Sequence, residues 1–354
     1  MTCIFYGLAG EGLGHASRTL SVIDHLPGID VHLFTFGKAY DFLQKIGYPH
    51  LHLIEGIMFE YNKDRVSYSA LTKRVAKYWI KDLKNNIEYI KKQAEIFHPQ
   101  LFISDFEPSI PRAAKKVGST LISVDNQHRF AYVDLVDLPL FLRAYGWCCG
   151  LAAKAIVPNP QHTVISTFHY DYIKPKGKNV YTTNGLLRKS LTEQTTRDDN
   201  FLLVYVRKSV NDIFLNAIKD IHHIRIKVYG ATQRSKNKNF NIEYFDIGPN
   251  FVNDLVSCSC LLSTSGNQLV SEARYFGKHC LLVPEPGQYE QSINSYYAVK
   301  LGIAQECPAN KLNKEKIVSF FNEKKPTFNT VPNGVNTVVE VIRRSLESEN
   351  RICI

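Results

Sequence analysis

The feature that most constrains the fold is a regular alternation of short apolar runs with longer amphipathic segments along most of the chain. The short runs have the length of buried strands, and the segments between them repeat apolar residues at helical spacing. We predict strands at 4–6, 31–36, 101–104, 120–124, 155–157, 202–206, 224–229, 260–262 and 279–283. We predict helices over 17–26, 72–97, 111–117, 210–221, 268–276, 291–300 and 334–346. This alternation indicates βαβ units, and therefore an α/β fold with parallel sheets.

The length of the chain indicates two domains. At 354 residues it exceeds what one hydrophobic core usually holds. The stretch 158–185 is rich in Pro, Lys and polar residues and lacks periodicity, which is typical of a linker. We therefore expect an N-terminal domain over 1–165 and a C-terminal domain over 180–330. The helix in 331–354 would pack back on one of them, which we take to be the N-terminal domain.

Composition narrows the class of protein. A hydrophobic content of 44% supports packed cores, and a net charge of +10 favours anionic partners such as phosphorylated substrates, nucleic acid or an anionic membrane. The eight cysteines include no C-x-x-C pair, so neither a zinc ribbon nor a disulfide framework is indicated. The first apolar run is too short for a signal peptide, and no 18-residue apolar stretch occurs. These features predict a cytoplasmic protein.

A glycine-rich turn follows the first predicted strand. It reads Gly7-Leu-Ala-Gly10-Glu-Gly12-Leu-Gly14-His15 and opens a helix that carries Arg18 one turn later. Glycines let the backbone approach a ligand, and a helix N-terminus presents N–H groups to an anion. The spacing is not that of the dinucleotide fingerprint, which disfavours a dehydrogenase. The turn is either a phosphate or substrate site, which His15 and Arg18 favour, or a tight connection without a ligand.

A second polar cluster follows the predicted strands at 260–262 and 279–283. It comprises Ser265-Gly266-Asn267, Glu272 in the helix after them, and Gln291 with Asn294 on one face of a later helix. The carboxyl ends of parallel strands are where open α/β sheets bind ligands, and these side chains suit phosphate, ribose and sugar hydroxyls. The alternative is that Ser and Asn are ordinary helix caps.

These residues carry a resemblance. Ser265-Gly-Asn-Gln-Leu-Val-Ser-Glu272, Val283-Pro284 and Gln291-x-x-Asn294 resemble the donor-binding signature of GT-B glycosyltransferases. The group that is most similar is the family 28-like one, which contains the N-acetylglucosaminyltransferase that forms lipid II. The resemblance implies two Rossmann-like domains that face each other across a cleft. It also implies inverting transfer of a sugar from a UDP- or dTDP-sugar to a hydroxyl of a cell-envelope glycan or lipid-linked acceptor.

The resemblance implies a donor site in the C-terminal domain. Glu272 would bind the ribose, Gln291 and Asn294 the transferred sugar, and Arg188 the diphosphate, since a guanidinium suits phosphate. The run Arg207-Lys208-Ser209 stands where the lipid II enzyme has a glycine-rich turn, so side-chain charge would replace backbone contacts there. The remaining expected donor contacts are Ser265, Gly266, Asn267 and Pro249.

Inverting transfer also needs a base that deprotonates the acceptor hydroxyl. Asp105, at the end of a predicted strand, and His15 are the two candidates, and we favour Asp105 as the base. The acceptor contacts that we expect are Gly12, Gly14, Arg18, Asn126 and Gln127. The sequence contains no D-x-D motif, so the glycosyltransferase hypothesis requires neither a metal nor a cofactor other than the nucleotide sugar.

Two segments raise the question of membrane contact. The predicted helix around 72–92 carries seven positive charges opposite an apolar stripe, and the segment 138–147 is apolar and aromatic. The first is either a solvated basic face or an approach to anionic lipid at the inner face of the cytoplasmic membrane. The second is either a buried helix or a wall that contacts a lipid carrier.

Two other functions remain open on the sequence alone. A nucleotide-sugar epimerase of the same fold needs several carboxylates around one sugar, and this sequence shows fewer. A nucleic-acid-binding protein would agree with the charge, but the sequence has no aromatic-basic RNA motif and no helix-turn-helix signature.

Overall fold

The computed structural model describes residues 2–58, 61–62, 65–66, 68–170, 173–232, 241–248, 250–327 and 331–352, without the side chains of 61–71 and 349–352. The chain divides into two compact units. Unit 1 comprises 1–137, 143–189 and 333–354, and unit 2 comprises 138–142 and 190–332.

Up to residue 189 the chain forms nine strands and seven complete helices within the described ranges. The strands are β1 (Cys3–Leu8), β2 (Asp30–Thr35), β3 (Leu51–Leu53), β4 (Tyr61–Asn62), β5 (Arg65–Val66), β6 (Leu101–Asp105), β7 (Leu121–Asp125), β8 (His162–Ser166) and β9 (Val180–Thr183). The helices are α1 (Leu13–Ile23), α2 (Gly37–Lys45), α3 (Tyr68–Lys77), α4 (Leu83–Phe97), α5 (Ser109–Val117), α6 (Arg129–Tyr132) and α7 (Leu140–Ile156), with a π-helical turn at Tyr78–Asp82 between α3 and α4.

The rest of the chain continues the same alternation. Its strands are β10 (Phe201–Tyr205), β11 (Arg225–Tyr229), β12 (Ile242–Phe245), β13 (Cys260–Ser263), β14 (His279–Leu282) and β15 (Ala304–Glu306). Its helices are α8 (Lys189–Thr192), α9 (Asn211–Ile218), α10 (Asn250–Ser257), α11 (Asn267–Tyr275), α12 (Tyr289–Lys300), α13 (Lys314–Asn322) and α14 (Val335–Ile352), with short 3₁₀ turns at Lys208–Val210 and Ala309–Lys311.

Unit 1 contains a seven-stranded sheet in the order β3-β2-β1-β6-β7-β8-β9. All neighbouring strands in it are parallel. The chain order reverses between β1 and β6, which makes the carboxyl ends of these two strands the switch point where open α/β sheets bind ligands. The pairing register sets Leu8 beside Asp105 at that edge.

Unit 2 contains a six-stranded sheet in the order β12-β11-β10-β13-β14-β15, again parallel throughout. Its order reverses between β10 and β13, where Tyr205 pairs with Ser263. The runs Arg207-Lys208-Ser209 and Ser265-Gly266-Asn267 follow directly, so the topology places both at the switch point of this sheet.

Helices pack against each sheet, and each unit has its own hydrophobic core. One face of the unit 1 sheet packs on α1, α2 and α14, with Val335, Val338, Ile342 and Leu346 of α14 buried in that core. Apolar residues at a spacing of three and four place one stripe of α14 on the sheet. Unit 2 builds its main core from β10, β11, β13 and β14 against α9 and α13.

The prediction of an α/β fold with parallel sheets is confirmed. Two local expectations are wrong. The apolar run 155–157, expected as a strand, is the end of α7 because the helical pattern continues into it from Leu140. The stretch 158–185, expected as a linker, holds β8 and β9, and its Pro and Lys residues lie in the loops around these short strands.

Candidate functional site

The switch point of unit 1 brings together three of the predicted site residues. Gly12 is the N-cap of α1, so His15 and Arg18 lie in the first two turns of that helix, beside the end of β6. Asp105 is the last residue of β6 and is fully buried. The sequence separates Arg18 from Asp105 by 87 residues, but the parallel pairing of β1 with β6 brings them into contact.

Asp105 is held by two charge-assisted hydrogen bonds from one guanidinium. Arg18 donates from Nε to Oδ2 over 2.6 Å and from Nη2 to Oδ1, and only 4% of Arg18 is exposed. Burial alone would lower the pKa of Arg18, but the charge and the hydrogen bonds of Asp105 raise it above its ordinary value. Arg18 therefore keeps its charge inside the protein, because the carboxylate beside it compensates the cost of burial.

His15 is the partly exposed member of this cluster. Its Nδ1 lies 2.9 Å from Oδ1 of Asp105 and 2.7 Å from Nη2 of Arg18. About 16% of the His15 side chain is exposed, whereas the carboxylate of Asp105 is fully covered. The two contacts of Nδ1 are alternatives, since a protonated Nδ1 donates to Asp105 and an unprotonated one accepts from Arg18. Donation to Asp105 leaves the lone pair on Nε2, where it can accept a proton.

A second His–Asp pair lies at the end of β7, the next strand of the sheet. His128 Nδ1 is 2.6 Å from Oδ2 of Asp125, the His128 backbone N–H donates to Oδ1, and Ser123 donates to Oδ2. All three side chains are buried. Burial alone would raise the pKa of Asp125, but the charge of His128 and these hydrogen bonds lower it to about 2.

The predicted acceptor residues are distributed along this edge. Gly12 and Gly14 are partly exposed at the start of α1, and a side chain at Gly12 would have open space around it. Asn126 is buried and accepts a hydrogen bond from Arg129, while Gln127 is partly exposed. The carboxamide oxygen of Gln127 has no hydrogen-bond partner among the described residues.

The switch point of unit 2 contains polar atoms of a different kind. Gly266 is the N-cap of α11 and has no side chain with which to cap the helix. Asn294 on α12 donates from Nδ2 to the carbonyl oxygen of Ser265 over 2.7 Å. Within the part of the chain that the structure describes, the Ser265 hydroxyl and the Asn294 carboxamide oxygen have no hydrogen-bond partner, although both residues are buried.

Glu272 lies on α11 and is also buried. Its Oε1 accepts a hydrogen bond from Nε2 of Gln268, one turn earlier, over 3.0 Å. Asn267, the first residue of α11, is 9% exposed. Glu272 and Asn267 therefore belong to the same helix whose N-terminus carries Ser265 and Gly266.

Glu285 is a central residue of unit 2 to which sequence analysis assigned no role. It follows β14, is 4% exposed, and accepts from Arg207 Nη1 over 2.7 Å and from the Ser209 hydroxyl. The carboxamide of Gln291 binds Glu285 twice. Its Nε2 donates to Oε1 of Glu285, and its Oε1 accepts a hydrogen bond from the Glu285 backbone N–H over 3.0 Å. The structure thus joins Arg207, Ser209 and Gln291 through one carboxylate. The run Val-Pro-Glu-Pro-Gly after a strand was the available signal.

The remaining predicted donor residues are Lys208, Arg188 and Pro249. Lys208 is exposed in the turn after β10. Arg188 belongs to unit 1, beside Leu187, whose backbone is held by Asn333, and its Nε has no partner among the described residues. Pro249 lies outside the described residues.

The segments expected near a membrane have exposed apolar side chains. Trp79 and Ile80 are 38% and 80% exposed. On α7, Leu140, Phe141 and Trp147 are exposed, so this helix is not buried along its whole length. None of the helices within the described ranges is long and apolar enough to cross a membrane.

Comparison with known proteins decides the family. Residues 2–324 match the family model of Glycosyl transferase family 1. The chain belongs to this family. The search of curated protein sequences found no match to this chain.

Solved structures show the same GT-B fold as this glycosyltransferase. MurG of Acinetobacter baumannii is 14% identical, with a TM-score of 0.62 over 97% of this chain and 100% of that one. UGT89C1 of Arabidopsis thaliana, complexed with UDP, is 12% identical, with a TM-score of 0.64 over the whole of both chains. UGT71G1 of Medicago truncatula, complexed with UDP-glucose, is 14% identical, with a TM-score of 0.59 over 99% and 97%. The expected GT-B fold is confirmed, and family membership favours a transferase over an epimerase or a nucleic-acid-binding protein.

Because Asp125 is buried and ionised, we expect the free energy of unfolding of the glycosyltransferase to fall at low pH. Its pKa falls from an ordinary 3.8 to about 2 on folding, so its ionisation stabilises the native state fully above pH 3.8. This stabilisation, about 2 kcal/mol, is lost as pH falls through about 2. We therefore expect the free energy of unfolding, measured with urea, to decrease less between pH 5 and pH 2 for Asp125→Asn than for the wild type.

The matched control is Asp41→Asn, at an exposed carboxylate. This variant should keep the wild-type acid loss. An Asp125→Asn protein with the same acid loss as the wild type would show that the native state does not hold this carboxylate ionised.

Proposed function

We propose that this glycosyltransferase moves a sugar from a UDP- or dTDP-sugar to a hydroxyl of a cell-envelope glycan or lipid-linked acceptor, with inversion at the anomeric carbon. The observation that carries the proposal is a pair of buried oxygens, those of Ser265 and Asn294, that have no hydrogen-bond partner among the described residues and lie at the N-terminus of α11, whose N-cap is Gly266. Buried polar atoms are rarely left without a hydrogen bond, so these two belong to a ligand site. The family match makes a nucleotide sugar the ligand that suits them.

The diphosphate of the donor is assigned to the N-terminus of α11. Its first N–H groups carry partial positive charge, and they can donate to phosphate oxygens without moving. The Ser265 hydroxyl is a further donor at the same position. When the bond from the anomeric carbon to the diphosphate breaks, the electron pair goes to a phosphate oxygen, and these fixed donors stabilise the new charge.

The ribose and the transferred sugar are assigned to carboxylates and amides on the same unit. Glu272 is buried on α11, and its Oε1 accepts a hydrogen bond from Gln268 over 3.0 Å, which orients the carboxylate. A carboxylate can accept hydrogen bonds from both hydroxyls of a ribose. The carboxamide of Gln291 is anchored by Glu285, so Gln291 and Asn294 would meet the sugar hydroxyls in fixed orientations.

Glu272→Ala should weaken binding of the preferred nucleoside diphosphate by at least roughly tenfold, because it removes the ribose acceptor and no core packing. A thermal-shift screen of nucleoside diphosphates first identifies the base, and calorimetry then gives the affinity. The control is Glu315→Ala, an exposed glutamate in the first turn of α13. Wild-type affinity in Glu272→Ala, or equal loss in Glu315→Ala, would contradict the donor-site assignment.

We assign the role of the base to His15, whose Nε2 would accept the proton of the acceptor hydroxyl. The sequence alone favoured Asp105 as the base, with His15 as the alternative, whereas burial and pairing support His15. Arg18 binds both oxygens of Asp105, and the carboxylate is fully covered, whereas 16% of the His15 side chain is exposed. Asp105 then acts as a positioning residue, which keeps the proton on Nδ1 and the lone pair on Nε2.

Small-molecule rescue separates the two assignments. His15→Ala should lower kcat by roughly 10² to 10⁴ at unchanged donor affinity, and added imidazole should restore part of the rate. Asp105→Ala should also lose turnover, through loss of positioning, but formate should not restore it. Rescue of Asp105→Ala by formate, without rescue of His15→Ala by imidazole, would make Asp105 the base.

A lipid-linked acceptor requires contact with a membrane, and one surface of unit 1 suits it. Trp79 and Ile80 project beside the exposed lysines 73, 77, 81 and 84. An apolar centre with basic neighbours is attracted to anionic lipid, each basic group contributing about 1 kcal/mol. This arrangement supports peripheral association with an anionic leaflet.

Ile80→Glu should weaken association with vesicles that contain phosphatidylglycerol by at least about fivefold, because it removes an inserted apolar group and adds a like charge. Sedimentation with phosphatidylcholine vesicles, with and without phosphatidylglycerol, measures the effect. Ile46→Glu is the control, since Ile46 is 50% exposed and is the C-cap of α2. No preference of the wild type for the anionic vesicles, or equal loss in both variants, would leave the lipid-linked acceptor without support.

A further inference from the structure

A histidine-rich cluster lies at the amino end of the unit 1 sheet. Cys3 begins β1, Asp30 begins β2, and His32 follows two residues later, while His50 immediately precedes β3. Ligand atoms of Cys3, Asp30 and His32 all lie within 4.8 Å of one another. The proposed transferase chemistry uses none of these residues.

The carboxylate of Asp30 lies between two imidazoles. Its Oδ2 is 3.2 Å from Nε2 of His32, and its Oδ1 is 3.3 Å from Nε2 of His50. The rings of His32 and His50 are stacked, with their centroids 4.6 Å apart. His32 is fully buried, whereas 46% of the His50 side chain is exposed, so one side of the cluster is open to an entering ion.

We propose that Cys3, Asp30, His32 and His50 form a binding site for one Zn²⁺ ion. The donor set of one thiolate sulfur, one carboxylate oxygen and two imidazole nitrogens is what zinc prefers among divalent ions, whereas Mg²⁺ and Ca²⁺ prefer oxygen alone. The ion would connect the first residues of β1 and β2 to the loop before β3.

The distances around Asp30 are close to those between zinc ligands. Zinc bonds to nitrogen and oxygen are about 2.0 to 2.2 Å long, so two such ligands of a tetrahedral ion lie roughly 3.3 to 3.6 Å apart. Nε2 of His32 is 3.2 Å from one carboxylate oxygen of Asp30, and Nε2 of His50 is 3.3 Å from the other. Ligand atoms of Cys3, Asp30 and His32 lie within 4.8 Å of one another, and side-chain rotations of Cys3, Asp30 and His50 would bring all four ligands onto one ion.

A chain of hydrogen bonds supports His32 from behind. Its Nδ1 lies 2.9 Å from Nε2 of His52, and Nδ1 of His52 lies 2.9 Å from the hydroxyl of Tyr89. With zinc on Nε2, the proton of His32 stays on Nδ1 and is donated to His52, which in turn donates to Tyr89. Metal-bound histidines characteristically have such a second partner, which fixes the ring and its tautomer.

This cluster is distinct from the transferase residues. Cys3 and Leu8 are the two ends of β1, and five residues of a strand span about 16 Å. Leu8 pairs with Asp105, so the zinc site and the His15 cluster lie at opposite ends of the sheet. The ion would therefore stabilise the sheet and take no part in the transfer.

The test is a cobalt titration of tag-free protein that has been stripped with a chelator. Co²⁺ bound by a thiolate gives a charge-transfer band in the near ultraviolet, and tetrahedral coordination gives intense visible bands. The wild type should bind one Co²⁺ per chain with both signals, and one equivalent of Zn²⁺ should abolish them. Absence of the bands, or binding that Zn²⁺ does not displace, would overturn the proposal.

Variants locate the ion. Cys3→Ser should remove the charge-transfer band and weaken Zn²⁺ binding at least tenfold, whereas His50→Gln should keep the band and weaken binding by a similar factor. Cys148→Ser, at an exposed cysteine, is the control and should bind Zn²⁺ as the wild type does.

Circular dichroism checks that each variant is folded, and Asp30→Asn replaces Cys3→Ser if the latter is not folded. Retention of the band in Cys3→Ser, its loss in Cys148→Ser, or wild-type Zn²⁺ affinity in Asp30→Asn would show that the ion binds elsewhere.

Discussion

Parallel strand pairing is the constraint on which the rest of this structure depends. Within the described ranges, every pair in the two large sheets is parallel, so each strand needs a crossover connection, and helices cover the sheet faces. Side chains on those faces are committed to the cores, and polar chemistry is left to the strand ends. In each unit the chain order reverses once, between β1 and β6 and between β10 and β13, and the clusters that contain Asp105 and Ser265 lie at these two places.

Buried charges at the strand ends are kept by pairing. Asp105 is bound by Arg18, Asp125 by His128, and Glu285 by Arg207. An unpaired buried charge would cost several kcal/mol, so each carboxylate depends on its partner. Two of these carboxylates also hold a more exposed group, His15 in unit 1 and Arg207 in unit 2. In the function that we propose, the buried carboxylate orients the more exposed group, and that group contacts the substrate.

The sequence could predict the parallel α/β fold and the edges that carry the sites, because hydrophobic periodicity is local and strand ends follow from it. It could not predict that Arg18 binds Asp105 or that Ser209 binds Glu285, since these partners are 87 and 76 residues apart and meet only through the sheet register. The stretch 158–185 was misjudged for the same reason. Its composition resembles that of a linker, and only pairing with β7 makes β8 a strand.

Hydrogen–deuterium exchange with and without the preferred nucleoside diphosphate tests the central assignment, that the donor binds at the switch point of unit 2. Bound ligand should slow exchange of the amides at 265–272, where the N-terminus of α11 would donate to the diphosphate. The amides around Gly12 to His15 in unit 1 should keep their rates. Protection confined to unit 1, with unchanged exchange at 265–272, would contradict the account.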